Sequence, residues 1–321
     1  MKKLLILSGG GAKGAFQAGV ISCLVREGAL KDNEILAVAG TSVGSINGVW
    51  CASRAALTPK GTDLMKQMWL SLSPKQVYKQ QPEWFALLKA LTLKRNYLYD
   101  FSPLGKYLEK NVLPLLNFNK IYINCSVNLQ NGKSTGIIVK DGNYLFEDQE
   151  IPEEQKEEIL LKSILASCSI PLVFPPVKIG DNTYVDGGVR EVIPLGFTIE
   201  NLIKLKELKP GEEIQAIIIS CTPLHTIKEE RNYYTNLLAL LTRAYDILWH
   251  EHLLNDVNQM ALYNLLFPHN KMIKSHYVKI NATLITPTRK LGDATDFTPS
   301  TLRKYFEMGE SGNFVKYVPY R

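Results

Sequence analysis

Two short apolar runs, Leu4–Leu7 and Ile35–Ala39, each end in glycines and each lead into a helical pattern. A strand with no polar residue has to be covered on both faces, as in a mostly parallel sheet with helices above and below. After the first run, Phe16, Val20, Cys23 and Leu24 recur at helical spacing, and Gly28 closes the segment. After the second, a small-residue helical stretch extends to about Ala56. This strand–helix–strand–helix order places the chain in the α/β class.

The remainder is compatible with that class. Residues 65–115 read as mainly helical, with Ser102 and Pro103 opening one helix. Residues 120–147 read as strands joined by turns at Asn131–Gly132 and Asp141–Gly142. A helix with acids in its first turn follows over 152–167, then a stretch rich in proline and glycine over 169–189 with short extended pieces. Residues 212–222 read as another buried strand, 232–264 as one or two long helices, 276–287 as a late strand, and 299–308 as a final helix. No repeat, low-complexity tract or linker interrupts the chain, so residues 1–321 are expected to form a single domain.

Bulk properties exclude several classes. A net charge of +6 is too weak to argue for nucleic acid, though it is compatible with visits to an anionic membrane surface. The five cysteines are odd in number and scattered, against a disulfide framework or a zinc site. After Lys2 and Lys3 there are only four apolar residues, short of the roughly 7–15 of a secretory signal. No uninterrupted apolar run approaches the ~20 residues of a membrane span. The expected location is cytoplasmic, with peripheral membrane contact as an extension of it.

Chemistry concentrates in three places. Gly40-Thr41-Ser42-Val43-Gly44 fits G-x-S-x-G between an apolar strand and a small-residue helix, the setting of a nucleophile elbow. Gly9, Gly11 and Gly14 fit G-x-G-x-x-G, the spacing of a dinucleotide loop. The acidic residue that would hold a ribose should end the second strand, but Asp32 and Glu34 precede it. A phosphate loop fails as well, because Ala15 and Phe16 follow Gly14. Backbone donors for an oxyanion make better use of these glycines, and adjacent parallel strands would bring both loops to one sheet edge. The third place is Asp186-Gly187-Gly188, which could supply the base that a serine nucleophile requires.

Together these residues resemble the patatin-like phospholipase family. "SGGGAKGAFQAGV" is similar to its glycine-rich oxyanion loop (residues 8–14), "GTSVGSING" to its nucleophile elbow (residues 40–44), and "DGG" to the motif of its catalytic Asp (residues 186–188). Residues 166–195, 98–104 and 291–312 resemble further family segments, so the likeness spans nearly the whole chain. It implies a three-layer α/β/α sandwich with a mostly parallel central sheet. It implies Ser42 as nucleophile and Asp186 as its partner in a two-residue dyad. The oxyanion hole would come from Gly9, Gly10 and Gly11, with Lys13 in the basic position beside them. Gly14, Gly40, Gly44, Gly187 and Gly188 would shape the loops. Two departures stand out: Ser8 where many members have Asp, and Arg190–Glu191 with no Asn before Pro194.

The expected activity is hydrolysis of fatty-acyl esters of lipids through an acyl-enzyme, a serine carboxylic ester hydrolysis needing no metal or cofactor. One alternative is an α/β-hydrolase esterase or thioesterase with a Ser–Asp–His triad, since His225, His250, His252, His269 and His276 all follow Asp186. A remote one is a nucleotide-binding regulatory protein using Gly9–Gly14. Residues 80–97, apolar with interspersed lysines, read either as a lid touching membrane or as a packed helix with solvated lysines. The 237–254 helix, with Tyr245 and Trp249, reads as the wall of an acyl pocket or as core.

Overall fold

In the computed structural model, which describes residues 1–79, 97–224 and 237–318, the first apolar run is a strand at the centre of a sheet. The strands in chain order are β1 (Lys3–Leu7), β2 (Ile35–Thr41), β3 (Ile121–Asn128), β4 (Ser134–Thr135), β5 (Ile137–Lys140), β6 (Asn143–Phe146), β7 (Gln149–Glu150), β8 (Val177–Ile179), β9 (Asn182–Asp186), β10 (Glu213–Ile219), β11 (Lys279–Pro287) and β12 (Phe314–Tyr317). The α-helices are α1 (Gly14–Arg26), α2 (Val43–Cys51), α3 (Pro59–Ser71), α4 (Pro74–Val77), α5 (Ser102–Asn111), α6 (Lys156–Ser167), α7 (Leu195–Lys204), α8 (Leu237–Leu266), α9 (Lys271–His276) and α10 (Pro299–Glu310).

The sheet runs β12-β11-β10-β1-β2-β3-β5-β6-β7, and the central pairs from β11 to β3 are all parallel. Leu5 and Leu7 of β1 enter one core and Leu4 and Ile6 the other, which is why the run carries no polar residue. Against the first face pack α1, α2, α3, α5, α6 and α10, through residues such as Phe16, Val49, Trp69, Leu108, Ile164 and Phe306. Against the second pack α7 and α8, through Leu195, Leu202, Leu253 and Met260. The molecule is thus a three-layer α/β/α sandwich around a mostly parallel sheet.

Some boundaries differ from the sequence reading. The helix expected to reach Ala56 stops at Cys51. Beyond it, the Asp32 carboxylate accepts from the N–H groups of Ala55 (3.3 Å) and Leu57 (3.1 Å), holding this segment in a turn with Ala55 at φ +59°. The same carboxylate pairs with buried Lys120 at 2.8 Å, so Asp32 is a structural tie rather than a ribose ligand. The Asp141–Gly142 turn joins β5 to β6 in a two-residue hairpin with both residues at positive φ, as the dipeptide predicts. Helix α7 and the antiparallel edge strand β12 were not foreseen. Residues 80–96 of the segment read as a lid or packed helix lie outside the described residues, as does His225.

All five cysteines are buried and unpaired. Among the described residues, no helix is long and apolar enough to cross a membrane.

Candidate active site

Parallel pairing of β1 with β2 puts Leu7 opposite Gly40, so the glycine loop and the Ser42 turn leave the sheet side by side. Thr41 then pairs with Cys125 of β3, and the next residue of β3, Ser126, pairs with Asp186 of β9. Three strands distant in sequence thereby bring Ser42, Gly9–Gly11 and Asp186 to one sheet edge, where parallel folds place ligands.

Ser42 occupies the N-cap position of α2, but its side chain makes no capping bond. Its backbone sits at φ +55°, ψ −128°, a strained conformation for a residue with a side chain. The turn is tight enough that a methyl group on Gly40 would lie 2.0 Å from the Gly44 carbonyl oxygen. The Ser42 N–H donates to Ser167 Oγ at 2.9 Å, and Ser167 in turn donates to the Cys125 carbonyl at 2.6 Å. Ser45 ties the other side, donating to the Ser42 carbonyl from both its N–H (2.8 Å) and its hydroxyl (2.6 Å).

Asp186 is wholly buried at the end of β9. Its Oδ1 accepts from the Gly188 N–H at 2.8 Å, whereas Oδ2 has no hydrogen-bond partner among the described residues. Burial pushes its pKa up to about 7, against the smaller opposing effects of the Gly188 N–H and the neighbouring Ser42 hydroxyl. A carboxylate that is buried, half-satisfied and poised near neutrality beside a strained serine is equipped to take that serine's proton.

In the glycine loop, the Gly9 N–H is committed to the Val192 carbonyl at 3.3 Å, and the Ala12 N–H to the Ala294 carbonyl at 2.7 Å. The Lys13 N–H bonds the Gly10 carbonyl at 3.2 Å. The N–H groups of Gly10 and Gly11 remain without an acceptor among the described residues, so Gly9, expected as a donor, is instead tied into the scaffold. Gly11 has φ +56°, and a methyl group there would come within 2.2 Å of the Ala294 oxygen. Ser8 secures the loop from behind, donating to the Gly9 carbonyl and accepting from the Cys221 N–H, both at 2.9 Å. Lys13 lies among Asp246, Cys221, Lys290 and Asp293, and its burial draws its pKa below the ordinary lysine value, against the pull of Asp246. Gly14 marks the start of α1, packed against Val43 and Trp69.

An apolar cavity opens from Ser42 between α2, α3 and α5, with about 860 Å³ of space that is partly open to solvent. Ile46, Trp50, Met65, Met68, Leu108 and Phe174 are among its walls. Its one amide, Asn47, spends its polar atoms on the Gly14 carbonyl, Gln17 and the Trp69 indole N–H. Among the described residues, none of α8 lines this cavity, and of the two readings of that helix the structure bears out core packing, through Leu253 and Met260. It also lies across the dyad loops: methyl groups on Gly9 and Gly188 would come within 2.3 Å and 2.0 Å of the Trp249 ring.

Residues 5–199, more than half of the chain, match the family model described as patatin-like phospholipase. The chain belongs to this family. A curated relative, "Probable lipid hydrolase 463L" of Invertebrate iridescent virus 6, is 23% identical over 288 residues, covering 87% of this chain and 91% of that one. Among solved structures, VipD from Legionella pneumophila aligns over 99% of this chain and 68% of its own, at 13% identity and a TM-score of 0.35. The human group IVD cytosolic phospholipase A2 bound to methyl gamma-linolenyl fluorophosphonate and terbium chloride aligns over 68% of this chain and 40% of its own, at 10% identity and a TM-score of 0.31.

The departures from the patatin-like pattern have local explanations. Glu191 is half-buried, accepting from Ser134 Oγ (2.8 Å) and from the Phe197 N–H in the first turn of α7 (3.1 Å). It is a helix-capping carboxylate that braces the loop after Asp186. Asp256 of α8 does the same for the Ile193 N–H at 3.0 Å. Of the described histidines, none hydrogen-bonds Ser42 or Asp186. Even buried His250 leaves its Nε2 unpartnered. Sequence reasoning missed Ser167, Ala294 and Asp256, which act through backbone contacts that no local pattern announces.

Proposed function

We propose that this chain hydrolyses fatty-acyl esters of lipids as a serine carboxylic ester hydrolase, with Ser42 as nucleophile and Asp186 as base. The observation that carries this reading is the unpartnered Oδ2 of buried Asp186 beside strained Ser42, at the mouth of an apolar cavity. The acyl chain lies in that cavity, whose walls expose no unsatisfied polar side chain to an alkyl tail. Ser42 Oγ attacks the ester carbonyl and its proton passes to Asp186. The N–H groups of Gly10 and Gly11 hold the developing oxyanion, where each such donor is typically worth about 2.7–4 kcal/mol of barrier. Collapse releases the alcohol with the proton from Asp186. Asp186 then activates water to free the fatty acid and restore Ser42.

Exposed Leu240, Ile247 and Leu248 on α8, the helix lying across the dyad, support peripheral contact with a lipid surface. The deciding experiment is a panel of lipid classes and acyl-chain lengths, presented as monomers and as anionic vesicles. Ser42→Ala and Asp186→Asn should be folded and inactive on all of them. Activity near that of the native protein in either variant would remove that residue from the mechanism.

A further inference from the structure

Among the described residues, two buried oxygen atoms at or near the dyad find no hydrogen-bond partner: Oδ2 of Asp186 and the hydroxyl of Tyr245 on α8. The Tyr245 ring packs on Trp249, with centroids 5.5 Å apart. Trp249 in turn lies against Gly9 and Gly188, the residues flanking the oxyanion loop and the Asp186 loop. Burial, with the nearby Asp186 charge adding to it, holds the phenol well above its ordinary pKa and hence protonated. A buried phenol without a partner is costly to keep unless something binds there. Among the described residues, none of α8 borders the apolar cavity, and α8 meets the dyad loops through Trp249 instead.

With the acyl chain in the cavity, the alcohol half of a bound ester lies outside it, and α8 is the helix that covers the Gly9 and Gly188 loops there, through Trp249. We propose that Tyr245 is a catalytic hydrogen-bond donor to the alcohol oxygen of the scissile ester. In acylation the Ser42 Oγ–carbonyl bond forms and the carbonyl–alcohol oxygen bond breaks. Asp186 returns the proton taken from Ser42 to the departing oxygen. Tyr245 keeps its own proton and donates a hydrogen bond to that oxygen as negative charge builds on it, which costs no proton balance. The role matters for alkyl alcohols, which leave poorly, and hardly at all for p-nitrophenolate, which leaves without protonation.

This assignment rests on the Ser42–Asp186 reading, and one experiment separates the two. Full-length protein and its Tyr245→Phe and Ser42→Ala variants are compared on a monoacylglycerol and on the p-nitrophenyl ester of the same fatty acid, alongside thermal unfolding. Tyr245→Phe should lower kcat on the monoacylglycerol by about tenfold or more, the loss of roughly one hydrogen bond in the transition state. Its kcat on the p-nitrophenyl ester should change less than about twofold under the same logic. Its Tm should be equal or higher, since the change deletes an unsatisfied buried hydroxyl. Equal loss on both esters, no loss on either, or a lowered Tm overturns the role of Tyr245 while leaving the dyad in place. Turnover by Ser42→Ala overturns both.

Discussion

The Ser42 N–H and the Ser167 hydroxyl, 125 residues apart in the chain, meet at 2.9 Å. Ser167 ends α6, so the conformation of the elbow is held by a helix with no motif of its own. Ser167→Ala should leave a buried N–H without an acceptor and release the strain at Ser42. Urea unfolding should show a loss of about 1–3 kcal/mol. Ester turnover should fall beyond what the stability change explains, and unchanged kcat would mean the elbow holds itself.

Asp186 must be ionised to accept the Ser42 proton, and burial sets its pKa at about 7. The kcat/KM of the free enzyme should therefore rise with pH and level off above about 7. A profile already flat from pH 5 upward would assign the base elsewhere.

The same carboxyl affects stability. Its pKa is higher in the folded chain, about 7, than the ordinary 3.8, so the folded state binds the proton more tightly. Stability is then lost as pH rises from about 4 to about 7. Asp256, also raised to about 7 by burial, adds to this trend. Asp186→Asn keeps an Oδ1 for the Gly188 N–H and carries no charge. At pH 8 it should exceed the native protein in stability by something on the order of 1–3 kcal/mol, with the gap closing toward pH 4. Calorimetry across that range checks the sign.

Gly11 lies at φ +56° with the Ala294 oxygen where a side chain would begin. Gly11→Ala should displace the loop from the 291–298 segment and misplace both free N–H groups. Turnover should fall at least about 100-fold, the scale of one lost oxyanion donor, while circular dichroism stays native. Retained activity would show that the oxyanion is held by other donors.

Met68 lines the acyl cavity and is only partly buried, so its replacement perturbs the core least. Met68→Trp should shorten the preferred acyl chain, and Met68→Ala should relax the preference toward longer ones. The readout is kcat/KM across p-nitrophenyl esters of increasing length, and identical profiles for all three proteins would place the chain outside this cavity.

The α/β class, the three loops and the identity of Ser42 and Asp186 as the candidate pair were legible in the chain. Each depends on local chemistry: apolar runs covered on both faces, glycines where a turn has to be tight, and a serine between a strand and a helix. Other features depended on contacts between distant segments. Asp32 looked like a misplaced ribose ligand and is a tie to Lys120 that also ends the small-residue helical stretch early. Gly9 looked like an oxyanion donor, and its N–H belongs to the Val192 carbonyl. Helix α8 looked like acyl-pocket wall or core; it packs in the core through Leu253 and Met260, and its Trp249 also lies over the dyad loops.

By itself, then, the sequence determined which residues could do the chemistry, because backbone freedom and side-chain reactivity are properties of residue types in short patterns. Tertiary structure decided which N–H groups are free, where an apolar cavity opens beside Ser42 and which helix lies over the dyad loops. Those are questions of which buried polar atoms find partners, and the partners come from strands and helices more than a hundred residues away.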